Sequence, residues 1–527
     1  MVKKAAAIIL ILCLVTVIMT GCGDSGGSAS KAVTNLPKVD MAKWHYSEPN
    51  DLYYQAEIVY CEKPADENYE KLAIFIPGAY MNATDNGDGT YTCELNKKAQ
   101  VNGYTALKAP IVMPIETPGY TAAEAFKADD LDNEDLIKNY VGKYIDQGFV
   151  FVYAGCRGVK QTAPSGVTDL KAAIRYLRYN DDVIAGDPDS IFVFGMSGGG
   201  AQSAILGSSG NSAMYDPYLE AIGAVQGISD AVAGSMDWCP VMDFATGDAE
   251  YEWMMGCTHT GQTQEEKAIS DGLAYAYADY INRAGYTDKD GKPLTLEESE
   301  HGIYQAGSYY DYIKSVIEES LNHYLSDSSF TPDDAQNYID TLNKDKKWIK
   351  YDKSSNTASI TSIEDFAKNC KRATDNKVAF DWLHNNIQLF SPGEGKGAHF
   401  DRILADVLDS INNEYASEYY EDLEKTDFVG YTVEQRLAMY SPIYYLMPNE
   451  KGYGTSSVAR YWRIRSGIEQ PTTSLTTEVN LALALERYDG VKSIDFETVW
   501  EQNHEEAERT GDSKENFIKW VDACMKG

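Results

Sequence analysis

The run Ile191-Phe192-Val193-Phe194-Gly195-Met196-Ser197-Gly198-Gly199-Gly200-Ala201-Gln202-Ser203-Ala204 passes from an apolar, β-branched and aromatic strand pattern, through GxSxG, into a stretch of small residues that reads as the start of a helix. A serine on so tight a strand-to-helix turn must adopt a strained backbone. Glycines two places to either side remove the crowding that side chains would cause. The hydroxyl is then held at the edge of a sheet, and the amides at the helix start point toward it. This predicts Ser197 as a nucleophile and the N–H of Gly198 as a donor to an oxyanion. A plain glycine-rich turn can carry the same five letters, but the strand before it and the helix after it favour the elbow.

Outward from this run, residues 57–256 alternate short apolar runs with helical periodicity, the pattern of an α/β protein with a mostly parallel sheet. Leu72–Ile76, Phe149–Tyr153 and Ile191–Phe194 read as strands, and Leu170, Ala173, Ile174 and Leu177 fall on one face of a crossover helix. From 258 to 430 the chain turns acidic, tyrosine-rich and helical, with a hairpin expected between Trp348 and Ile360. That change predicts a large, mainly helical lid inserted into a core made of residues 46–257 and 431–527. The core pattern resumes with a strand at Ala459–Arg465, a helix through Leu475, Val479 and Ala482, a strand at Ser493–Trp500 and a last helix through Phe517, Trp520 and Val521.

A serine nucleophile needs a base, and seven histidines compete for the role. His504 follows the last strand and precedes the last helix, the place that the chain order Ser, acid, His assigns to the base. The acid should lie after the strand at Ala459–Arg465, where Glu469 is the only carboxylate in the loop. Asp243, after the apolar stretch Trp238–Met242, is the alternative. A second oxyanion donor is expected from Pro77-Gly78-Ala79-Tyr80, at Ala79 or Tyr80.

Composition sets further limits. With 80 acidic and 46 basic residues the net charge is −34, which argues against nucleic acid and polyanionic substrates as partners. The 38 tyrosines hint at aromatic packing or a cleft for sugars or rings. Nine cysteines without CxxC spacing indicate neither a zinc site nor a redox motif, and no metal or cofactor is expected. Lys3 and Lys4, an apolar stretch at 5–19 and Thr20-Gly21-Cys22 resemble a bacterial lipoprotein signal. This implies lipidation at Cys22, export and attachment to the membrane through the lipid alone, on its extracellular face. Residues 23–45, opened by a Gly/Ser-rich run, then read as a flexible tether.

The details at 154–253 are similar to those of bacterial tannases and related esterases of the α/β-hydrolase superfamily. The shared features are Gly155-Cys156-Arg157-Gly158, the run Asp169–Asp181, the Ser197 elbow, Cys239-Pro240 and Tyr251-Glu252-Trp253, with Trp462-Arg463-Ile464-Arg465 and Trp500–His504 near the C-terminus. The resemblance implies an α/β-hydrolase fold and hydrolysis of esters of gallic or related phenolic acids, with Ser197 as nucleophile and His504 as base. The chain departs from that family where an Asp-x-Asp pair is expected: Gln470 and Thr472 stand there. Met196 and Asn503 stand where fungal-type tannases and feruloyl esterases place cysteines, which excludes that class. The reading is therefore a serine esterase acting on a small-molecule ester. Its rivals are a peptidase of the same fold and a lipid-anchored binding protein that has lost the chemistry.

Overall fold

The computed structural model describes residues 32–371, 389–390 and 400–527. The lipoprotein-like signal, Cys22 and part of the lid lie outside the described residues. No helix among the described residues is long and apolar enough to cross a membrane.

Nine strands form one sheet: β1 (His45–Ser47), β2 (Leu52–Val59), β3 (Lys71–Pro77), β4 (Ile111–Ile115), β5 (Val150–Ala154), β6 (Ile191–Met196), β7 (Gly234–Trp238), β8 (Tyr461–Gly467) and β9 (Ser493–Val499). Their spatial order is β1-β2-β3-β5-β4-β6-β7-β8-β9. β4 to β9 run parallel, whereas β1, β2 and β3 join by antiparallel pairing, and β3 is antiparallel to β5. This is the α/β-hydrolase architecture, a mostly parallel sheet flanked by helices. Period-two alternation gives each central strand two buried faces. Phe192 and Phe194 pack against Trp520 and Phe517 of the last helix, while Trp462 on the opposite face packs at Gly207.

The flanking helices used below are α1 (Ser165–Tyr179), α2 (Gly198–Ser208), α3 (Gly247–Met255), α4 (Gln264–Ala284), α5 (Ser308–Asp327), α6 (Leu475–Arg487) and α7 (Ser513–Lys526). α1 is buried from Ser165 to Leu177, so its charged residues need partners. Asp169 accepts from the Arg157 Nε and Nη2 at 2.9 and 2.6 Å, and Asp230 receives Lys171 Nζ and Arg175 Nε, both at 2.8 Å. Buried pairs of this kind are costly to break singly, because one charge is then left without a partner.

Between 258 and 430 the described residues are mainly helical, with one hairpin of Ile349–Asp352 and Thr357–Ile360. α5 lies against β9, where Ser320 Oγ donates to the Thr498 carbonyl at 2.7 Å, and Tyr309 donates to Asn480 of α6 at 2.7 Å. The tyrosine excess is largely spent on packing. Tyr60, Tyr80, Tyr120, Tyr176, Tyr215, Tyr277, Tyr286 and Tyr309 are fully buried, with ring bodies in the core and hydroxyls on polar partners such as the Gly155 and Val241 carbonyls.

The tether expected at 23–45 is corrected for its described part. Residues 32–45 pack on the core: Val33 pairs with Gln226, Trp44 pairs with Tyr91, and Leu36, Val39 and Trp44 are buried. A Gly/Ser-rich start predicts flexibility only as far as the next apolar anchor, and Leu36 is that anchor.

Candidate active site

β6 ends at Met196 and α2 begins at Gly198, so Ser197 occupies the whole turn, at φ 59° and ψ −120°. Its N–H donates to the Trp238 carbonyl at the end of β7 (2.9 Å), and its own carbonyl accepts from Ala201 and Val241. Side chains would not fit beside it. A Cβ at Gly198 would lie 2.5 Å from the Thr117 carbonyl oxygen and 2.6 Å from the Tyr120 nitrogen, and one at Gly199 would lie 2.0 Å from the Ile115 carbonyl oxygen. The glycines therefore let α2 start directly on the end of β4.

His504 approaches from the loop between β9 and α7, and its Nε2 lies 2.9 Å from Ser197 Oγ. The imidazole is held neutral to lower pH than the usual imidazole value by burial and by the nearby Lys371 ammonium. A neutral ring with Nε2 facing the hydroxyl can take its proton, and a hydroxyl so relieved can attack a carbonyl carbon.

The two expected acids do not complete this pair. Among the described residues His504 Nδ1 is buried and has no hydrogen-bond partner. Asp243 Oδ1 instead accepts from Ser441 Oγ at 2.7 Å. Burial, with Glu250 close by, pushes the Asp243 carboxyl up to about 8, which disfavours the charged form that would balance an imidazolium. Glu469 follows β8 as expected, with its N–H on the Gln502 carbonyl, but no hydrogen bond joins its carboxylate to His504. Gln470 turns inward, where its Nε2 donates to Glu478 Oε1 at 3.1 Å and its Oε1 accepts from the Thr472 and Thr473 amides.

Ala79 and Tyr80 are also corrected. β3 runs antiparallel to β5, so its C-terminal end emerges at the edge of the sheet opposite Ser197, and β5 and β4 intervene before β6. Tyr80 there spends its hydroxyl on the Tyr104 and Gly148 carbonyls. The loop that meets the elbow is Thr117–Tyr120, which follows β4. Pro110 and Pro114 disguise β4 in the sequence, since proline inside a strand argues against a central position. The sheet tolerates Pro114 because pairing with β5 ends at Val112.

Lys371 is a site residue with no sequence signal beyond being a lysine in a helical segment. It is fully buried, donates to the Gln470 carbonyl, and has its basicity lowered by burial, with Glu478 acting in the opposite sense. Glu478, fully buried beneath it, is pushed up to about 7, chiefly by burial. A small cleft lined by Val241, Met242, Phe244, Tyr251 and Phe400, with the polar Asp248, Thr473, Ser474 and Thr477, adjoins the elbow through Val241, whose N–H donates to the Ser197 carbonyl. No group of three or more His, Cys, Asp or Glu side chains among the described residues is arranged to hold a metal ion.

The fold has counterparts in known proteins. The BD-FAE family model matches residues 100–301. No curated protein sequence matches the chain. Among solved structures it is similar to a tannin acyl hydrolase in complex with 3,4-dihydroxybenzoate (26% identity, TM-score 0.68, covering 90% of this chain and 94% of that one). It is similar to a native tannin acyl hydrolase from Lactobacillus plantarum (25%, TM-score 0.69, 93% and 98%) and to the Fusobacterium nucleatum tannase (26%, TM-score 0.69, 90% and 95%). The chain thus has the fold of bacterial tannases, which are ester hydrolases of the α/β-hydrolase type.

The geometry at Asp243 and Glu469 generates a test. Asp243→Asn and Glu469→Gln, each made singly, should leave the rate of fluorophosphonate labelling at Ser197 within about threefold of the unaltered chain, whereas loss of a true triad carboxylate costs about 10⁴-fold in turnover.

Proposed function

We propose that this chain is a serine esterase that cleaves small carboxylic esters through an acyl-enzyme, with Ser197 as nucleophile and His504 as general base. The observation that carries this reading is the 2.9 Å approach of His504 Nε2 to the hydroxyl of a serine held at φ 59° on a strand-to-helix turn. His504 takes the Ser197 proton, Oγ bonds to the ester carbonyl carbon, and the carbonyl electron pair moves onto oxygen. Gly198 N–H and, from the Thr117–Tyr120 loop, Gly119 N–H are the donors for that oxyanion. Tyr120 N–H is already given to the Thr117 carbonyl and Pro118 has none. As the oxyanion collapses, the alcohol leaves with the proton held by His504. Water then repeats the sequence on the acyl-serine and releases the acid.

The acyl group we propose is aromatic and phenolic. What supports this is a structural neighbour, a tannin acyl hydrolase in complex with 3,4-dihydroxybenzoate. The N-terminal pattern ending at Cys22 supports an exported, lipid-anchored enzyme.

The reading is tested by hydrolysis of p-nitrophenyl acetate, a hydroxybenzoate ester and an aminopeptide p-nitroanilide. The two esters should be cleaved and the anilide not, and Ser197→Ala should abolish both ester turnover and fluorophosphonate labelling. Amide cleavage at comparable rate would make the chain a peptidase, and absence of labelling would make it a binding protein. In kcat/KM against pH, the acid limb should have its midpoint below the ordinary imidazole value of 6.5, because the lowered basicity of His504 keeps the ring neutral to lower pH. A midpoint above 6.5 would point to a carboxylate partner on Nδ1. For the anchor, Cys22→Ser should move the expressed protein from the membrane fraction to the soluble exported fraction.

A further inference from the structure

We infer that the buried ion pair of Arg463 and Glu508 positions His504, supplying through the backbone the orientation that no carboxylate among the described residues supplies at the ring. This rests on the reading of His504 as the general base.

His504 stands on the loop between β9 and α7, and this loop has little packing of its own: Glu501, Asn503, Glu505 and Glu506 are exposed. Its imidazole has Ser197 on Nε2 and, among the described residues, nothing on Nδ1. A ring tethered at one nitrogen can swing unless the backbone beneath it is fixed. Three contacts fix it. Glu508 is 6% exposed and binds Arg463 of β8 in bidentate fashion, Oε1 to Nη1 at 2.5 Å and Oε2 to Nη2 at 2.7 Å. The Gln502 carboxamide closes the loop across its base, with Nε2 donating to the Glu508 carbonyl at 2.7 Å and Oε1 accepting from the Glu508 N–H at 2.8 Å. Cys239 Sγ donates to the Glu505 carbonyl at 3.2 Å from below.

One residue joins this clasp to the nucleophile. Trp238 ends β7: its carbonyl accepts from the Ser197 N–H at 2.9 Å, while its indole N–H donates to Glu508 Oε1 at 3.2 Å. The elbow and the base loop are therefore referenced to the same side chain and backbone. Asn516 of α7 supplies one more donor to Glu508 Oε2, at 3.0 Å, so the carboxylate is fully satisfied. Apolar residues of similar volume hold a protein together about as well as a buried ion pair. What they lack is direction, and the two parallel bonds of an arginine fork set both the place and the angle of the carboxylate. A clasp of this kind suits a loop whose task is to present one ring nitrogen to one hydroxyl.

The experiment compares Glu508→Gln and Gln502→Ala with the unaltered full chain, using p-nitrophenyl acetate and enzyme counted by exhaustive fluorophosphonate titration of Ser197. Counting active sites removes any loss due to unfolded protein. Glu508→Gln should lower kcat per titrated site by about 10- to 100-fold, the size expected when a reacting group is displaced by an ångström or so. KM should stay within about twofold, since the clasp does not touch substrate. Gln502→Ala should move kcat in the same direction by a smaller factor, and it decides the matter if Glu508→Gln does not fold. If both variants keep kcat per titrated site within about twofold of the unaltered chain, the clasp is structural only and the inference fails. An unaltered chain that neither hydrolyses the ester nor labels at Ser197 overturns the base reading itself, and the inference with it.

Discussion

Ser197 is held at φ 59° and ψ −120°, a backbone state that a residue with a Cβ keeps only when its surroundings impose it. The imposition comes from three strands at once. β6 delivers the residue, the Trp238 carbonyl at the end of β7 fixes its N–H, and the end of β4 sits so close to Gly198 and Gly199 that no side chain would fit there. Parallel register across β4, β6 and β7 is thus what produces the elbow, and the hydroxyl, the free amides of α2 and the Thr117–Tyr120 loop all take their positions from it.

The parts legible in the sequence are those whose physics is local. Ile191–Phe194 followed by GxSxG and small residues announces a strand, a strained turn and a helix, and the structure has all three. His504 could be chosen among seven histidines because it lies between the last strand and the last helix, and it does reach Ser197. The hairpin at 348–360 and α6 follow from local pattern in the same way. What could not be read depends on pairing between distant segments. Ala79 looked suitable for the oxyanion because it follows a good strand, but the usefulness of that loop depends on the direction of β3, and direction is settled by antiparallel pairing with β5. The strand that does feed the elbow, β4, carries Pro114 and so hides from any rule based on strand composition.

Charge told a second partial story. The surplus of acid residues argues against polyanionic partners without saying which carboxylates are buried, and the buried ones shape the site. Lys171, Arg175 and Asp230, like Arg157 and Asp169, are consumed in making α1 and its neighbours a single block. Gln470 stands where an acid was expected after β8, and the nearest buried carboxylate it touches is Glu478, which is raised to about 7 and lies over against Lys371 rather than His504. No sequence spacing distinguishes a glutamate of this kind from a solvated one. Only the packing of α6 beneath the loop does.

On the esterase reading, these charges bear on how a serine and histidine would work with no aligned carboxylate among the described residues. A negative partner on Nδ1 normally stabilises the imidazolium formed as the proton leaves serine. Here the nearby formal charge acting on the ring is the Lys371 ammonium, and both it and burial weaken the base. A weaker base stays neutral at lower pH but has less drive to take a proton, so more of the barrier must be lowered where negative charge develops, at the oxyanion. The helix start at Gly198 supplies positive potential where that oxyanion would form. On the esterase reading, burial and the Lys371 charge make His504 a weaker base, and a weaker base leaves more to the exact placement of its ring by the loop.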